Sequence, residues 1–249
     1  MLSLQLTVLG CYGPYPPAGG ACSGYLLREG DCNLLIDCGN GVLSRLQQHM
    51  DYQQLDAVLL SHLHPDHVSD IMIMRYGLVL ALNSGLRNQS LQLYACAEPE
   101  EEYKRLMYKN AYSVEPLEAE QAIQIGPFSI QTKATVHAVP GLALRIQSSS
   151  GTLVYSGDTE YFNGLEAFAA GADLFLCEAN FQEQDLSNNL PNHLSASQAA
   201  AAAASAEAKR LLLTHHHPDR DRDVSSTEAK KYYPTVEMAV EGETYIIAS

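Results

Sequence analysis

Ser61-His62-Leu63-His64-Pro65-Asp66-His67 places three imidazoles and a carboxylate within six consecutive residues. Imidazole nitrogen joined by carboxylate oxygen is the donor set of a borderline-soft divalent ion. The stretch follows the apolar run Ala57-Val58-Leu59-Leu60. Such a run reads as a buried strand, so the polar groups stand where a strand ends and a turn exposes them. As a histidine-rich surface turn the stretch would need nothing more. As a metal site it is incomplete, and the rest of the chain must supply further ligands.

Three residues qualify by type and setting. His137 follows Ala134-Thr135-Val136 and precedes Ala138-Val139-Pro140. Asp158 lies between Gly157 and Thr159, where the backbone can bend sharply and turn a carboxylate inward. His215 closes the apolar run Leu211-Leu212-Leu213-Thr214. Singly, these read as a core imidazole, a turn carboxylate and part of a polar loop. Together with the opening stretch they point to a metal centre assembled from several strand ends. His216 and His217 adjoin His215, and either could take its place. His49 ends a polar helix and reads as solvated, while His193 stands just ahead of an alanine-rich helix.

The elements that must position these groups alternate along the chain. Strands are expected at Leu4–Gly10, at Ser23–Leu27 and Asn33–Asp37 around a turn at Gly30-Asp31, and at Leu91–Ala95. Further strands are expected between Ile123 and Ile146, at Gly151–Ser156 and at Ala172–Cys177, with Leu211–Thr214 as a last buried strand. Helical apolar spacing runs from Val42 to Leu46, from Val68 to Leu82 and from Pro99 to Tyr108. Ser195 to Lys209 is a helix by propensity, capped by Ser195, and its small side chains suit close packing on a sheet. The Gly- and Pro-rich stretch from Cys11 to Cys22 reads as a loop bordering the site. No linker-like segment divides residues 1–249, so one α/β domain is expected, with its chemistry gathered along one sheet edge.

Composition narrows the function classes. Lys plus Arg number 15 against 29 Asp plus Glu, a formal charge of −14 that repels polyphosphates at long range and disfavours nucleic acid as partner. The six cysteines form no CxxC pair, and no charged n-region with an apolar core opens the chain, so reduced thiols and a cytoplasmic location are expected. Cys38 and Cys177, each beside a carboxylate, read as buried structural thiols. No apolar run reaches the roughly 18 residues of a membrane span.

The opening stretch, with His137, Asp158 and His215 in that order, resembles the metallo-β-lactamase superfamily nearly end to end. More narrowly, Ser156-Gly157-Asp158-Thr159, Cys177-Glu178-Ala179-Asn180, Asn192-His193-Leu194-Ser195-Ala196 and Leu213-Thr214-His215 are similar to the tRNase Z-like phosphodiesterase branch. The resemblance implies a four-layer αββα sandwich with a two-metal site at one edge. It implies that His62, His64 and His137 hold one ion, that Asp66, His67 and His215 hold the other, and that Asp158 bridges them. Zinc is the default ion, with manganese or iron admissible for these ligands. Two such ions about 3.5–4 Å apart can share a hydroxide and flank both moving oxygens of an in-line displacement. Asp66 would accept the nucleophile's proton, and His193 would act on the leaving oxygen. Glu178 would orient His193 or a ligand imidazole.

The chain departs from the branch in three places. The stretch between His67 and His137 lacks the long Gly- and basic-rich arm of the tRNA-processing enzymes, having only a short Leu82–Asn88 segment and an acidic Glu98–Glu102. Cys177-Glu178-Ala179-Asn180 replaces the more usual His-Glu-Ala-Thr, and Ser195 stands where Thr is common. The expected activity is therefore hydrolysis of a small phosphodiester, such as a cyclic nucleotide. A tRNA or RNA 3′-end endonuclease and a thioester or lactone hydrolase are the alternatives, and a purely structural metal would need a closed ligand shell. By analogy with the branch, a homodimer is the expected assembly.

Overall fold

A computed structural model describes residues 3–186 and 192–248. In chain order the strands are β1 (Leu4–Gly10), β2 (Gly24–Glu29), β3 (Cys32–Ile36), β4 (Ala57–Leu59), β5 (Leu91–Ala95), β6 (Tyr112–Pro116) and β7 (Ala122–Ile125). There follow β8 (Phe128–Ala134), β9 (Leu142–Gln147), β10 (Thr152–Tyr155), β11 (Leu174–Glu178), β12 (Leu211–Thr214), β13 (Glu237–Met238) and β14 (Thr244–Ile247). The helices are α1 (Val42–His49), α2 (Pro65–Val68), α3 (Ile71–Asn83) and α4 (Glu100–Leu106) in the first half. The second half carries α5 (Leu165–Ala169), α6 (Glu183–Leu186), α7 (Ala196–Ser205) and α8 (Arg222–Lys230).

Among the described residues the strands form two seven-stranded sheets, ordered β14-β1-β2-β3-β4-β5-β6 and β13-β12-β11-β10-β9-β8-β7. Each sheet is half antiparallel and half parallel. In the first, β3 to β6 run parallel; in the second, β10 to β13 do. The period-two alternation of strand side chains builds the layers. Leu6, Tyr25, Ile36, Leu59, Leu144, Tyr155 and Leu176 face inward and fill the space between the sheets. Their neighbours Leu26, Leu35 and Val58 face outward onto α1 and α3. Phe175, Leu211 and Leu213 face the other way, onto α5, α7 and α8. The order helix, sheet, sheet, helix is the expected four-layer αββα sandwich.

Local chemistry fixes the helices nearest the site. Pro65 occupies the first turn of α2, where a missing N–H is harmless, so the metal-competent stretch becomes a one-turn helix. The helix expected from Val68 to Leu82 is α3, which starts at Ile71, while Val68 ends α2 with Ser69-Asp70 between them. Ser195 caps α7 in a full capping box with Gln198. Leu211–Thr214 is the last fully buried strand, and two partly exposed strands that were not expected follow it. β13 extends the second sheet beside β12, and β14 pairs antiparallel with β1 at the far edge of the first. Among the described residues no helix is long and apolar enough to cross a membrane, and all six thiols are free.

Candidate metal centre

The carboxyl ends of β4, β8, β10 and β12 meet at one edge of the sandwich. The turn after β4 brings His62, His64, Asp66 and His67 from the first sheet. The second sheet brings His137, Asp158 and His215. These seven side chains fall into two groups, His62–His64–His137 and Asp66–His67–Asp158–His215, with the donor atoms of each group within 4.8 Å of one another.

In the first group His64 Nδ1 lies 3.0 Å from both His62 Nε2 and His137 Nε2. The outer hydrogen bonds decide the tautomers. His137 Nδ1 faces the Asn192 carbonyl at 2.9 Å and must donate to it, leaving a lone pair on Nε2. The Ser61 hydroxyl already donates to Asp37 at 2.8 Å, so His62 Nδ1–H donates to Ser61 Oγ at 3.1 Å and its Nε2 also keeps a lone pair. A single proton on His64 cannot satisfy both lone pairs, whereas a cation held among the three can. Burial disfavours the imidazolium here and, with repulsion from His137, lowers the pKa of His64 to about 4.

The second group is fully polar inside a buried setting. His67 Nδ1 donates to Asp37 at 2.8 Å. Its Nε2 has no hydrogen-bond partner and faces Asp158 at 3.3 Å and Asp66 at 3.7 Å. His215 Nε2 is likewise unpartnered, 3.4 Å from Asp66, while its Nδ1 lies 3.2 Å from Asp158. Burial lowers the pKa of His215 to about 3, against the pull of Asp158. For His67 burial also opposes charge, but Asp158, Asp37 and Asp66 outweigh it and raise its pKa well above the usual range. Two unpartnered buried nitrogens facing carboxylates at these separations fit a divalent cation, which would complete both shells.

Backbone geometry is adapted to this edge. Asp37 and His215 both have left-handed φ, 55° and 53°, a conformation that costs a non-glycine residue on the order of 1–3 kcal/mol. Gly157 turns at φ 58°, and a Cβ there would meet the Leu142 carbonyl oxygen at 2.7 Å, so the residue before Asp158 must be glycine. Gly13, from the loop after β1, lies against the face of the His215 ring at its Nε2 end. A Cβ on it would fall 1.8 Å from His215 Nε2.

His193 sits over both groups. Its ring centroid is 5.2 Å from that of His137 and 5.2 Å from that of His215. Its Nδ1 donates to Glu178 at 3.0 and 3.2 Å, and Glu178 is held in turn by the Thr159 N–H at 2.6 Å. Burial works against the His193 imidazolium, but the charge and hydrogen bond of Glu178, with Asp158 and Asp66 beyond, raise its pKa to about 9. A cavity of about 340 Å³ opens in front, walled by Pro14, Ala138, Asn192 and His193 and floored by members of both groups. No lysine or arginine lines it among the described residues.

All the residues singled out in the sequence for this site meet here: His62, His64, Asp66, His67, His137, Asp158 and His215, with Glu178 and His193 paired above them. His216 turns away into the protein, edge-on to Tyr12, and His217 lies on the outer rim edge-on to Tyr15, so neither joins a group. Cys38 and Cys177 are buried, with pKa values pushed up by desolvation. Sequence reasoning passed over Asp37, which accepts from Ser61 N, Ser61 Oγ, His67 Nδ1 and Tyr155 Oη and so governs one imidazole of each group. Its signal was available, a carboxylate ending the apolar strand Leu34-Leu35-Ile36 just before a glycine pair. Asn180 was also passed over; its Nδ2 donates to the Gly13 and His215 carbonyls at 2.9 and 3.1 Å and locks the two loops together.

Comparison with known proteins identifies the family and the fold. The family model of the β-lactamase superfamily domain matches residues 32–216. A probable metallo-hydrolase of Bacillus subtilis (strain 168), YhfI, is 37% identical over 196 residues, covering 79% of this chain and 80% of that protein. The crystal structure of the metallo-β-lactamase fold protein YhfI from Bacillus subtilis superposes with a TM-score of 0.92 at 34% identity, over 99% of this chain and 100% of that one. Human tRNase Z, short form, gives a TM-score of 0.77 at 20% identity, over 98% of this chain and 100% of that one. A diphosphatase of the PhnP family gives 0.75 at 17%, over 99% and 100%. At those last two identities the likeness is one of fold alone.

Proposed function

The chain belongs to the metallo-β-lactamase superfamily, and from that premise we propose that it is a metal-dependent hydrolase of a small phosphodiester, with a cyclic nucleotide as the model substrate. The observation that carries this reading is His193. It is not a member of either ligand group, it faces the cavity, and its Nδ1 donates to buried Glu178, whose charge favours the imidazolium. A positioned imidazolium beside a metal centre suits a reaction whose leaving group is an alkoxide that needs a proton. A thioester releases a thiolate, which needs none.

The two ligand groups support two divalent ions, zinc by default with manganese or iron admissible, and Asp158 touches members of both groups. Bound there, divalent ions supply Lewis-acid charge at the phosphoryl oxygens and acidify water. The chain's own residues do the rest. Asp66 lines the cavity, and burial raises its pKa, so its carboxylate accepts the proton of the attacking water. His193 donates its Nε2 proton to the departing oxygen, while Glu178 holds the ring and its charge in place. With no lysine or arginine on the walls among the described residues, a monoanionic diester suits the cavity better than a phosphate dianion or a long polyanion. Its volume also matches a nucleotide-sized ligand. The free buried thiols support a reducing, cytoplasmic setting.

The test compares metal-loaded protein on bis(p-nitrophenyl) phosphate, a cyclic nucleotide, an unprocessed tRNA and a thioester. Turnover of the small diesters is expected. Turnover of the thioester alone, or of the tRNA alone, would replace this assignment.

A further inference from the structure

The metal-competent groups are built from both sheets, so their geometry depends on how one sheet lies over the other. Asp66 and His67 come from the first sheet, and Asp158 and His215 from the second. Metal ligands tolerate errors of only about 0.2 Å. The leucines and isoleucines between the sheets cannot supply that precision, because apolar burial is non-directional and lets two faces slide. Something directional must set the register.

Two fully buried tyrosines cross the interface in opposite directions. Tyr155 on β10, in the second sheet, reaches into the first and donates to Asp37 Oδ2 at 2.8 Å, the same oxygen that receives His67 Nδ1–H. Tyr25 on β2, in the first sheet, reaches into the second and bonds Thr214 Oγ1 at 2.6 Å. Thr214 is the residue before His215. The rings pass with centroids 5.3 Å apart at 60°, within the range in which aromatic pairs attract. Each hydrogen bond thus ties one sheet to the residue that holds or precedes a ligand of the other.

We infer that Tyr25 and Tyr155 form a crossed pair of positioning residues that registers the two sheets and thereby sets the Asp66–His67–Asp158–His215 group. Both links end on that group, one through Asp37 and His67, the other through Thr214 and His215. The first group is further removed from both tyrosines: Asn192 holds His137, and Tyr155 reaches His62 only through Asp37 and then Ser61, one link more than separates it from His67. The pair therefore governs one ion far more than the other. The inference rests on the two-ion reading above.

The experiment uses Tyr25→Phe and Tyr155→Phe, which keep the rings and remove only the hydroxyls. Ile130→Val, also buried between the sheets, serves as a control for general loosening of the core. Metal-free protein is titrated with cobalt(II), reading the visible absorption and, by chelator competition, the affinity of each step. Repeating the titration in a His64→Ala background isolates the Asp66 group. The expected result in both phenylalanine variants is a roughly 10–100-fold weaker second-group ion with an altered cobalt spectrum, the size usual for losing an outer support of a ligand. The first-group step stays within about twofold, and Ile130→Val changes neither. Wild-type affinity and spectrum for both ions in the two variants would overturn the inference, as would equal weakening of both steps. If Tyr155→Phe does not fold, Tyr25→Phe carries the same test through the other strand. Fewer than two ions on the wild-type protein would overturn the two-ion reading together with this inference, and would show before any variant is made.

Discussion

Gly13→Ala removes no ligand, yet it should cost the protein a metal ion. A Cβ at this position would lie 1.8 Å from His215 Nε2 and 2.2 Å from Cδ2 and Cε1. Bringing 1.8 Å up to the 3.0 Å that real Cβ atoms keep takes a shift of about 1.2 Å, several times the roughly 0.2 Å that a metal ligand tolerates. The loop cannot yield easily, because Gly13 N donates to the His216 carbonyl at 3.2 Å and its own carbonyl accepts from Asn180 at 2.9 Å. The ring cannot yield either, being fully buried at a left-handed backbone position. The methyl group therefore displaces the nitrogen that faces Asp66. Metal affinity at that group should fall at least about 100-fold, or roughly 2.8 kcal/mol. Gly19→Ala in the same loop is the control: nothing lies within 4 Å of its Cβ, and its positive φ costs only about 1–2 kcal/mol of strain. Metal content measured by atomic emission after dialysis, with thermal unfolding of both variants, reads the outcome. If Gly13→Ala keeps the wild-type complement of metal and affinity, the placement of His215 as a ligand is wrong.

His193→Ala should slow diester hydrolysis by about 10²–10⁴-fold while leaving metal content unchanged; loss of metal would put His193 among the ligands. A general acid works while protonated, so kcat/KM should decline as pH rises through the His193 pKa of about 9, or lower once metal charge opposes the imidazolium. Because the Glu178 charge raises that pKa, Glu178→Gln should move the alkaline decline to lower pH, and an unmoved profile would remove the Glu178–His193 pair from the mechanism. Chelation should abolish turnover and also lower Tm, since an ion at 100 times its Kd contributes about 2.7 kcal/mol to stability; an unchanged Tm on chelation would argue against a buried ion. Ser195→Ala breaks the capping box of α7 and should cost about 1 kcal/mol in denaturant unfolding, within the usual range for a cap.

Much of the site was legible from the chain because its parts are local or punctuated. His62 to His67 lie within one turn, so their spacing alone places them together. His137, Asp158 and His215 each follow an apolar strand, and Gly157 marks the sharp bend that the structure shows at φ 58°. The sandwich was readable for the same reason, since period-two strands alternating with apolar or alanine-rich helices leave few ways to bury both faces. The end of the chain was not. α8 carries few apolar residues and is settled by its Asp221 cap and by packing against α7, and β14 is a short edge strand whose pattern is half exposed.

What the chain could not disclose is which residues meet across the two sheets. Asp37 and His67 are 30 positions apart, Tyr155 and Asp37 are 118, and Tyr25 and Thr214 are 189. A tyrosine in an apolar strand has no sequence mark that says where its hydroxyl ends, and a glycine in a loop has none that says whose ring fills the space of its missing Cβ. Residue type and local spacing disclosed the candidate donor atoms, because donor atoms and strand ends are properties of short segments. The grouping of those donors, the tautomers their hydrogen bonds require, the Glu178–His193 pair and the contacts between the sheets appear only in the tertiary structure, because they depend on directional contacts between segments far apart in the chain.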